Sequence, residues 1–265
     1  MAHAVDRDTL RRLWLDEYHR PFSGWDFTYL AGRRTTIRPA DTWDYTSTVV
    51  AAIRTARSML DMDTGGGEFV ASLPQRPPRT CATEAYPPNL PVARARLAPL
   101  GVRVYGVSAA AQLPFADGAF DLVTNRHGSY EAGELRRVLA AGGVFITQQV
   151  GDQTNRTLHD LLDDPGDAGT WNAGTKRGPG WNLAQATREL EEAGLQIIVG
   201  REEFPITRYA DVGAIVYYLK AIPWEIPDFS VDRYFDKLVA IHAQIQARGP
   251  LDVLFHTFFI RARKP

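Results

Sequence analysis

The chain has a single cysteine, Cys81, so no disulfide can close within it and a cystine-stapled fold is excluded. Lysine is scarce: Lys176, Lys220, Lys237 and Lys264 are the only ones, and arginine supplies the rest of the 30 basic residues. There is no excess of either sign, since 30 basic residues face 31 acidic ones for a formal net charge of −1. That excludes a global nucleic-acid footprint and leaves only a local basic patch open. The arginines stand singly or in pairs, such as Arg33–Arg34 and Arg136–Arg137, which reads as a solvated surface. No apolar run approaches the ~20 residues needed to span a bilayer. The opening MAHAVDRDTLRR mixes acids and bases without an apolar stretch, so it does not read as a secretory signal. Together these features predict a cytoplasmic protein, monomeric or homodimeric, with neither a nucleic-acid nor a membrane partner.

What is present is a globular composition: 265 residues, 45% hydrophobic and 23% charged, without internal repeats. A chain of that length buries roughly 70–75% of its unfolded surface and needs no staple. Short apolar runs recur at SMLDM (58–62), TCATE (80–84), VRVYGV (102–107), AFDLVTN (119–125) and GVFITQQV (143–150). The segments between them, AYPPNLPVARARLAPLG and EAGELRRVLAAGG, carry helical spacing and end in glycine. Strand and helix alternating at this interval predict right-handed βαβ units, a parallel sheet and helices on both faces. A helix is expected over 182–194, a strand over 195–204, two helices within 209–248 and a last strand over 253–262. Residues 164–181 are dense in Gly and Pro and read as a long loop, expected with parts of 1–45 to act as a lid. Residues 1–45 read as helices and an ordered loop. The whole chain reads as one domain, with 46–203 plus 249–265 as core and 1–45 and 204–248 as cap and substrate-binding elements.

The strongest local signal is DMDTGGGE (61–68), placed between a strand and a helix. A tight glycine turn there lets backbone N–H groups approach a polar ligand, whether a dinucleotide, a phosphate or a nucleoside. The dinucleotide fingerprint requires a third glycine where Val70 stands, and a P-loop requires Lys where Glu68 follows Gly67, so both phosphate readings lose ground. Glu84, at the end of the next strand, is placed to accept both hydroxyls of a ribose, or else is a carboxylate at a helix start. His127 in NRHGSY is a candidate general base, or a ring that packs on the ligand. The other histidines show no metal-site spacing, and no metal is expected. Cys81 reads as inert packing.

Taken together, LDMDTGGGE (60–68), TEAY (83–86), LPFADGAFDLV (113–123) and RVLAAGGVFIT (137–147) resemble the class I S-adenosylmethionine-dependent methyltransferases, in the small-molecule branch with the LPF-x-D-x-x-F-D signature. The resemblance covers about 55–150. It implies a Rossmann-like α/β fold with a seven-stranded, mostly parallel sheet whose last strand is antiparallel. An N-terminal segment and a helical insertion would form the cap. S-adenosylmethionine would be the cofactor. Asp61, Asp63, Thr64, Gly65 and Gly67 would take its methionine end, Glu84 its ribose, Ala111, Gln112 and Leu113 its adenine, and Asn125 and Arg126 would close the site. The sequence departs from the family at Asp63, where glycine is usual, and at Ala109 and Ala111, where acids are usual. Each departure bears on cofactor affinity, and a carboxylate at 63 adds attraction for the ammonium or sulfonium. Trp25, Phe27 and Tyr29 near the N-terminus and Tyr217, Tyr218 and Trp224 in the insertion are the aromatic candidates for an apolar pocket around a small organic substrate, with Trp25, Tyr29, Tyr217 and Trp224 foremost. The expected reaction is methyl transfer to an O, N or S atom of that molecule. RNA modification, or cofactor binding without transfer, are the alternatives.

Overall fold

The computed structural model describes residues 6–23, 26–108, 112–163 and 180–265. The strands are β1 (Arg34–Ile37), β2 (Ser58–Met62), β3 (Arg79–Glu84), β4 (Arg103–Gly106), β5 (Phe120–Arg126), β6 (Leu139–Val150), β7 (Gln196–Glu203), β8 (Ile206–Tyr209), β9 (Leu251–Leu254) and β10 (Thr257–Arg263). The helices are α1 (Arg7–His19), α2 (Tyr45–Ile53), α3 (Glu68–Ser72), α4 (Asn89–Leu97), α5 (Ala132–Val138), α6 (Arg156–Leu162), α7 (Leu183–Glu192), α8 (Val212–Ala221) and α9 (Phe235–Arg248).

Seven strands form one sheet in the order β4-β3-β2-β5-β6-β10-β7. β2 pairs in parallel with β3 and β5, and β10 runs antiparallel between β6 and β7. Every residue of β2 is buried, as the centre of a sheet covered on both faces demands. Successive residues serve opposite faces. Met59, Leu122, Ile146 and Phe259 pack under α2 with Trp43, Tyr45 and Val49. Leu60, Val123, Phe145 and Phe258 meet Tyr130, Leu135, Trp181 and Leu190 on the other side. The strand order reverses direction between β2 and β5, and in open α/β sheets ligands bind beyond the carboxyl ends of the strands at such a switch.

The cap differs from the expected helical insertion. It is built on a second sheet, order β1-β8-β9, antiparallel throughout. The short β1 was invisible in a segment read as helices and loop, because four residues of RTTI carry too little pattern. The run 253–262, read as one strand, changes sheets at Phe255–His256: β9 belongs to the small sheet and β10 to the large one. Its apolar pattern is continuous across the break, so periodicity alone could not show it. The helix read through 131–143 ends at Val138, and β6 starts at Leu139. There Gly142 has φ +75°, and a Cβ on Gly143 would meet Ala140 O at 2.8 Å, so the two glycines serve a strand turn.

Against the small sheet pack α1 (Leu10, Trp14), α8 (Val212, Ile215, Val216, Leu219) and α9 (Leu238, Ile241, Ile245). Each such fully buried large side chain contributes roughly 1.5–3 kcal/mol. Asp211 starts α8 by accepting the Ala214 N–H at 2.9 Å, and the same carboxylate takes two bonds from Arg33, which also reaches Glu17 of α1 at 2.8 Å. One arginine beside β1 thus fastens the first helix to the eighth.

Candidate cofactor and substrate cavity

At the carboxyl ends of β2, β3 and β5 a cavity of about 880 Å³ opens between the large sheet and the cap. The register sets its floor. Asp61 lies opposite Thr124, and Met62 opposite Asn125. Thr124 Oγ1 accordingly donates to Asp61 Oδ1 at 2.7 Å, and Asn125 Nδ2 to Met62 O at 3.2 Å. Burial pushes the Asp61 carboxyl up to about 6, against the hydrogen bond from Thr124, with the Asp63 charge adding to the rise and Arg126 opposing it. Tyr45, in the first turn of α2, is buried in the same neighbourhood, and burial followed by the Asp61 charge holds its hydroxyl well above the usual range.

Glu84 organises the glycine turn. Its Oε2 accepts the Gly65 N–H and its Oε1 the Tyr86 N–H, each at 2.6 Å, and the residue is 4% exposed. A buried carboxylate at the end of β3 is the kind of acceptor that a pair of vicinal hydroxyls can use. Gly65 has φ +64° and lines the cavity. Gly67, at φ +81°, faces away: a Cβ there would lie 2.8 Å from Leu97 Cγ of α4, so this glycine serves helix packing.

Asp63 has φ +58°, in the left-handed region that favours glycine. A Cβ on Gly128 would lie 2.3 Å from Asp63 Cβ and 2.7 Å from Asn125 Nδ2, so the β2 and β5 turns touch backbone to side chain.

His127 lines the cavity at φ +64°. Trp43 Nε1 can only donate, and it donates to Gln148 Oε1 at 2.9 Å. Gln148 Nε2 is therefore the donor in its 3.0 Å contact with His127 Nε2. The ring nitrogen that would serve as a base already accepts a hydrogen bond. Of the two readings the sequence left open for His127, this geometry favours the ring that packs on the ligand over the general base.

Of the remaining predicted residues, Thr64, Arg126 and Trp224 line the cavity. Asn125 is wholly buried beneath it, tied to Met62 and Gln149. Leu113 is buried with its N–H on Glu134 at 2.8 Å, and neither it nor Gln112 lines the cavity. Tyr29 and Tyr217 also stand outside: their rings meet at 4.9 Å, Tyr29 bonds Glu17, and Arg20 lies 4.3 Å above it. They fasten α1 to α8 rather than touch a ligand. Trp25, Ala109 and Ala111, and residues 164–179 of the expected lid, lie outside the described residues.

On the cap side of the cavity, Phe27, Tyr218 and Trp224, three of the flank aromatics expected at the pocket, form an apolar wall with Phe22 and Phe255, which sequence reasoning missed together with Glu225. Glu225, next to Trp224, is 2% exposed and accepts or shares a proton with His159 Nε2 at 2.9 Å. The pattern IPWEIP, an acid enclosed by apolar residues and prolines, was the available signal.

Residues 60–147 match the family model described as a methyltransferase domain. A demethylmenaquinone methyltransferase of Thermus thermophilus is 37% identical over 114 residues, 39% of this chain. The match spans about half, 52%, of that relative's length. A functionally unknown protein from Deinococcus radiodurans shares the fold over 97% of this chain and 98% of its own, with TM-score 0.58 and 15% identity. A phosphoethanolamine N-methyltransferase of Haemonchus contortus, solved with S-adenosyl-L-methionine, matches over 97% of this chain and 57% of its own, with TM-score 0.50 and 17% identity.

Proposed function

We propose that this chain, whose core belongs to the class I S-adenosylmethionine-dependent methyltransferases, moves the methyl group of S-adenosylmethionine onto an O, N or S atom of a small organic molecule. The observation that carries the reading is the Gly65–Glu84 contact at the switch between β2 and β5, opening into one cavity with the cap. The residues present fit the cofactor. Glu84 would hold the ribose, Asp61 and Asp63 would take the cationic end, and Gly65 would give the chain of the cofactor backbone room. The cofactor supplies an activated methyl on a sulfonium. The protein supplies orientation and the exclusion of water, which together can account for much of such a transfer, so no obligatory catalytic side chain is required.

A small-molecule acceptor is supported by the lining. Asp61, Asp63, Glu68, Glu84 and Glu225 outnumber Arg126 and Lys220, and a polyanion such as RNA meets a net acidic wall. The relatives named for demethylmenaquinone and phosphoethanolamine point the same way. Among the described residues no helix is long and apolar enough to cross a membrane.

The test is calorimetric titration with S-adenosylmethionine and S-adenosylhomocysteine, followed by methyl-labelled cofactor offered to pooled small acceptors. Micromolar binding of both and label transfer are expected. Binding without transfer to any acceptor would favour a cofactor-binding protein, and no binding at millimolar concentration would remove the reading.

A further inference from the structure

We propose that Glu225 is the recognition carboxylate for a substrate bearing an amine, carried as an ammonium into the cap side of the cavity. The inference deepens the methyl-transfer reading and rests on it only in taking this cavity as the substrate chamber.

Glu225 lies between α8 and α9 and is 2% exposed, yet it lines the cavity beside Trp224. Its Oε1 meets His159 Nε2 of α6 at 2.9 Å. The other ring nitrogen, Nδ1, meets Asp163 Oδ2 at 3.3 Å. An imidazole held between two carboxylates fixes the orientation of both. Among the described residues, Glu225 Oε2 makes no hydrogen bond. A carboxylate in a residue so little exposed is costly to keep charged, and a cationic donor entering from the cavity is the group that relieves the cost most.

Among the described residues, two cations on this side, Lys220 and Arg34, are engaged elsewhere. Lys220 lines the same cavity but donates to Arg20 O at 2.6 Å. Arg34 bonds the Tyr209 hydroxyl at 3.2 Å, and its guanidinium stands 4.6 Å from the Tyr218 ring, outside the cavity lining. The surfaces around Glu225 are the aromatic faces of Tyr218 and Trp224, with Phe22 and Phe27 beyond, the last two 5.0 Å apart. Aromatic faces with one carboxylate make an ammonium site, since the ring quadrupole and the anion attract the same charge. An anionic head group would meet repulsion from Glu225, and a neutral hydroxyl would leave the charge uncompensated. The aromatic walls select an apolar or aromatic body on that amine.

The experiment uses three probes of similar size, phenethylamine, 2-phenylethanol and 3-phenylpropanoate, titrated into the full chain saturated with S-adenosylhomocysteine at neutral pH. The amine is expected to bind at least tenfold more tightly than the alcohol, and the carboxylate most weakly. Glu225→Gln should bring the amine to the level of the alcohol while S-adenosylhomocysteine affinity stays within twofold. Should that variant unfold, Trp224→Leu must weaken the amine more than the alcohol. Equal affinities for amine and alcohol, tightest binding by the carboxylate, no amine binding at millimolar concentration, or a preference that survives Glu225→Gln would each overturn the proposal. Failure of S-adenosylhomocysteine to bind while the amine preference persists would instead remove the methyl-transfer reading and leave the ammonium site standing.

Discussion

Asp61 offers the most direct physical test of the cofactor site. Its carboxyl is buried, and burial lifts its pKa to about 6 in the empty protein, with the neighbouring Asp63 adding to the rise. A ligand that brings an ammonium and a sulfonium favours the ionised form. Above about pH 7 the carboxylate is already charged and the ligand binds at full strength. Below about 6 the carboxyl holds a proton that binding must expel. Affinity should then fall by a factor approaching ten per pH unit, so binding at about pH 5 is roughly tenfold weaker, or ~1.4 kcal/mol. Asp61→Asn removes the titration, and its affinity should be low and flat over the same range. The empty protein shows the opposite trend in stability. Between about pH 4 and 6 the folded state keeps a proton that the unfolded state releases, so stability declines as pH rises through that window, by ~3 kcal/mol in all. The assay is calorimetric titration with S-adenosylmethionine from about pH 5 to 8 on both proteins, with thermal unfolding of each. A wild-type affinity independent of pH, or the same slope in Asp61→Asn, would refute the reasoning.

Glu84→Ala should weaken S-adenosylhomocysteine binding by about 1–3 kcal/mol, because the Gly65 and Tyr86 N–H groups lose their acceptor together with any ribose hydroxyls; an unchanged dissociation constant removes Glu84 from the site. Gly128→Ala should lower the unfolding free energy by about 1–3 kcal/mol, since its Cβ would stand 2.3 Å from Asp63 Cβ, and the Asp63→Gly background should recover part of that loss in a double-mutant cycle. Asp63→Gly alone should raise the melting temperature while changing cofactor affinity by no more than about 1 kcal/mol; a hundredfold gain in affinity would show that the natural site is impaired. Arg33→Met should loosen the cap, at a cost of about 1–2 kcal/mol given its partial exposure, read as earlier hydrogen exchange in α1 and α8 with the central sheet unaffected.

The central sheet was readable because parallel strands buried on both faces leave short, largely apolar runs, and SMLDM is buried from end to end. The glycine turn and Glu84 were readable because their roles depend on backbone placement next to strands already located. The cap was not. Its sheet joins residues 34–37, 206–209 and 251–254, and pairing over such separations leaves no local trace. Tyr29 and Tyr217 were drawn into the pocket by their type alone. Aromatic residues serve packing and binding with the same chemistry, and only the fold decides which ring faces the void. Glu225 failed to register for the complementary reason. Its partners, His159 and Asp163, come from a helix more than sixty residues earlier, so a lone acid between prolines carried no visible chemistry.

Three non-glycine residues among the described ones have left-handed backbone: Asp63, His127 and Asn155. Asp63 and His127 directly follow β2 and β5, neighbours at the centre of the sheet, and line the cavity, whereas Asn155 stands at the start of α6. Asp, Asn and His are the residue types that tolerate this conformation best, but each still costs on the order of 1 kcal/mol. At Asp63 the cost is compounded, because a second carboxylate stands close enough to Asp61 to raise its proton affinity. Both penalties belong to the empty site. A ligand carrying positive charge past the β2 turn meets two carboxylates whose mutual repulsion it cancels, so part of its binding free energy is relief of strain already present in the protein. Glycine at 63 would relax the empty chain and forfeit that relief. This opposition explains why an acid in the glycine position need not impair cofactor binding.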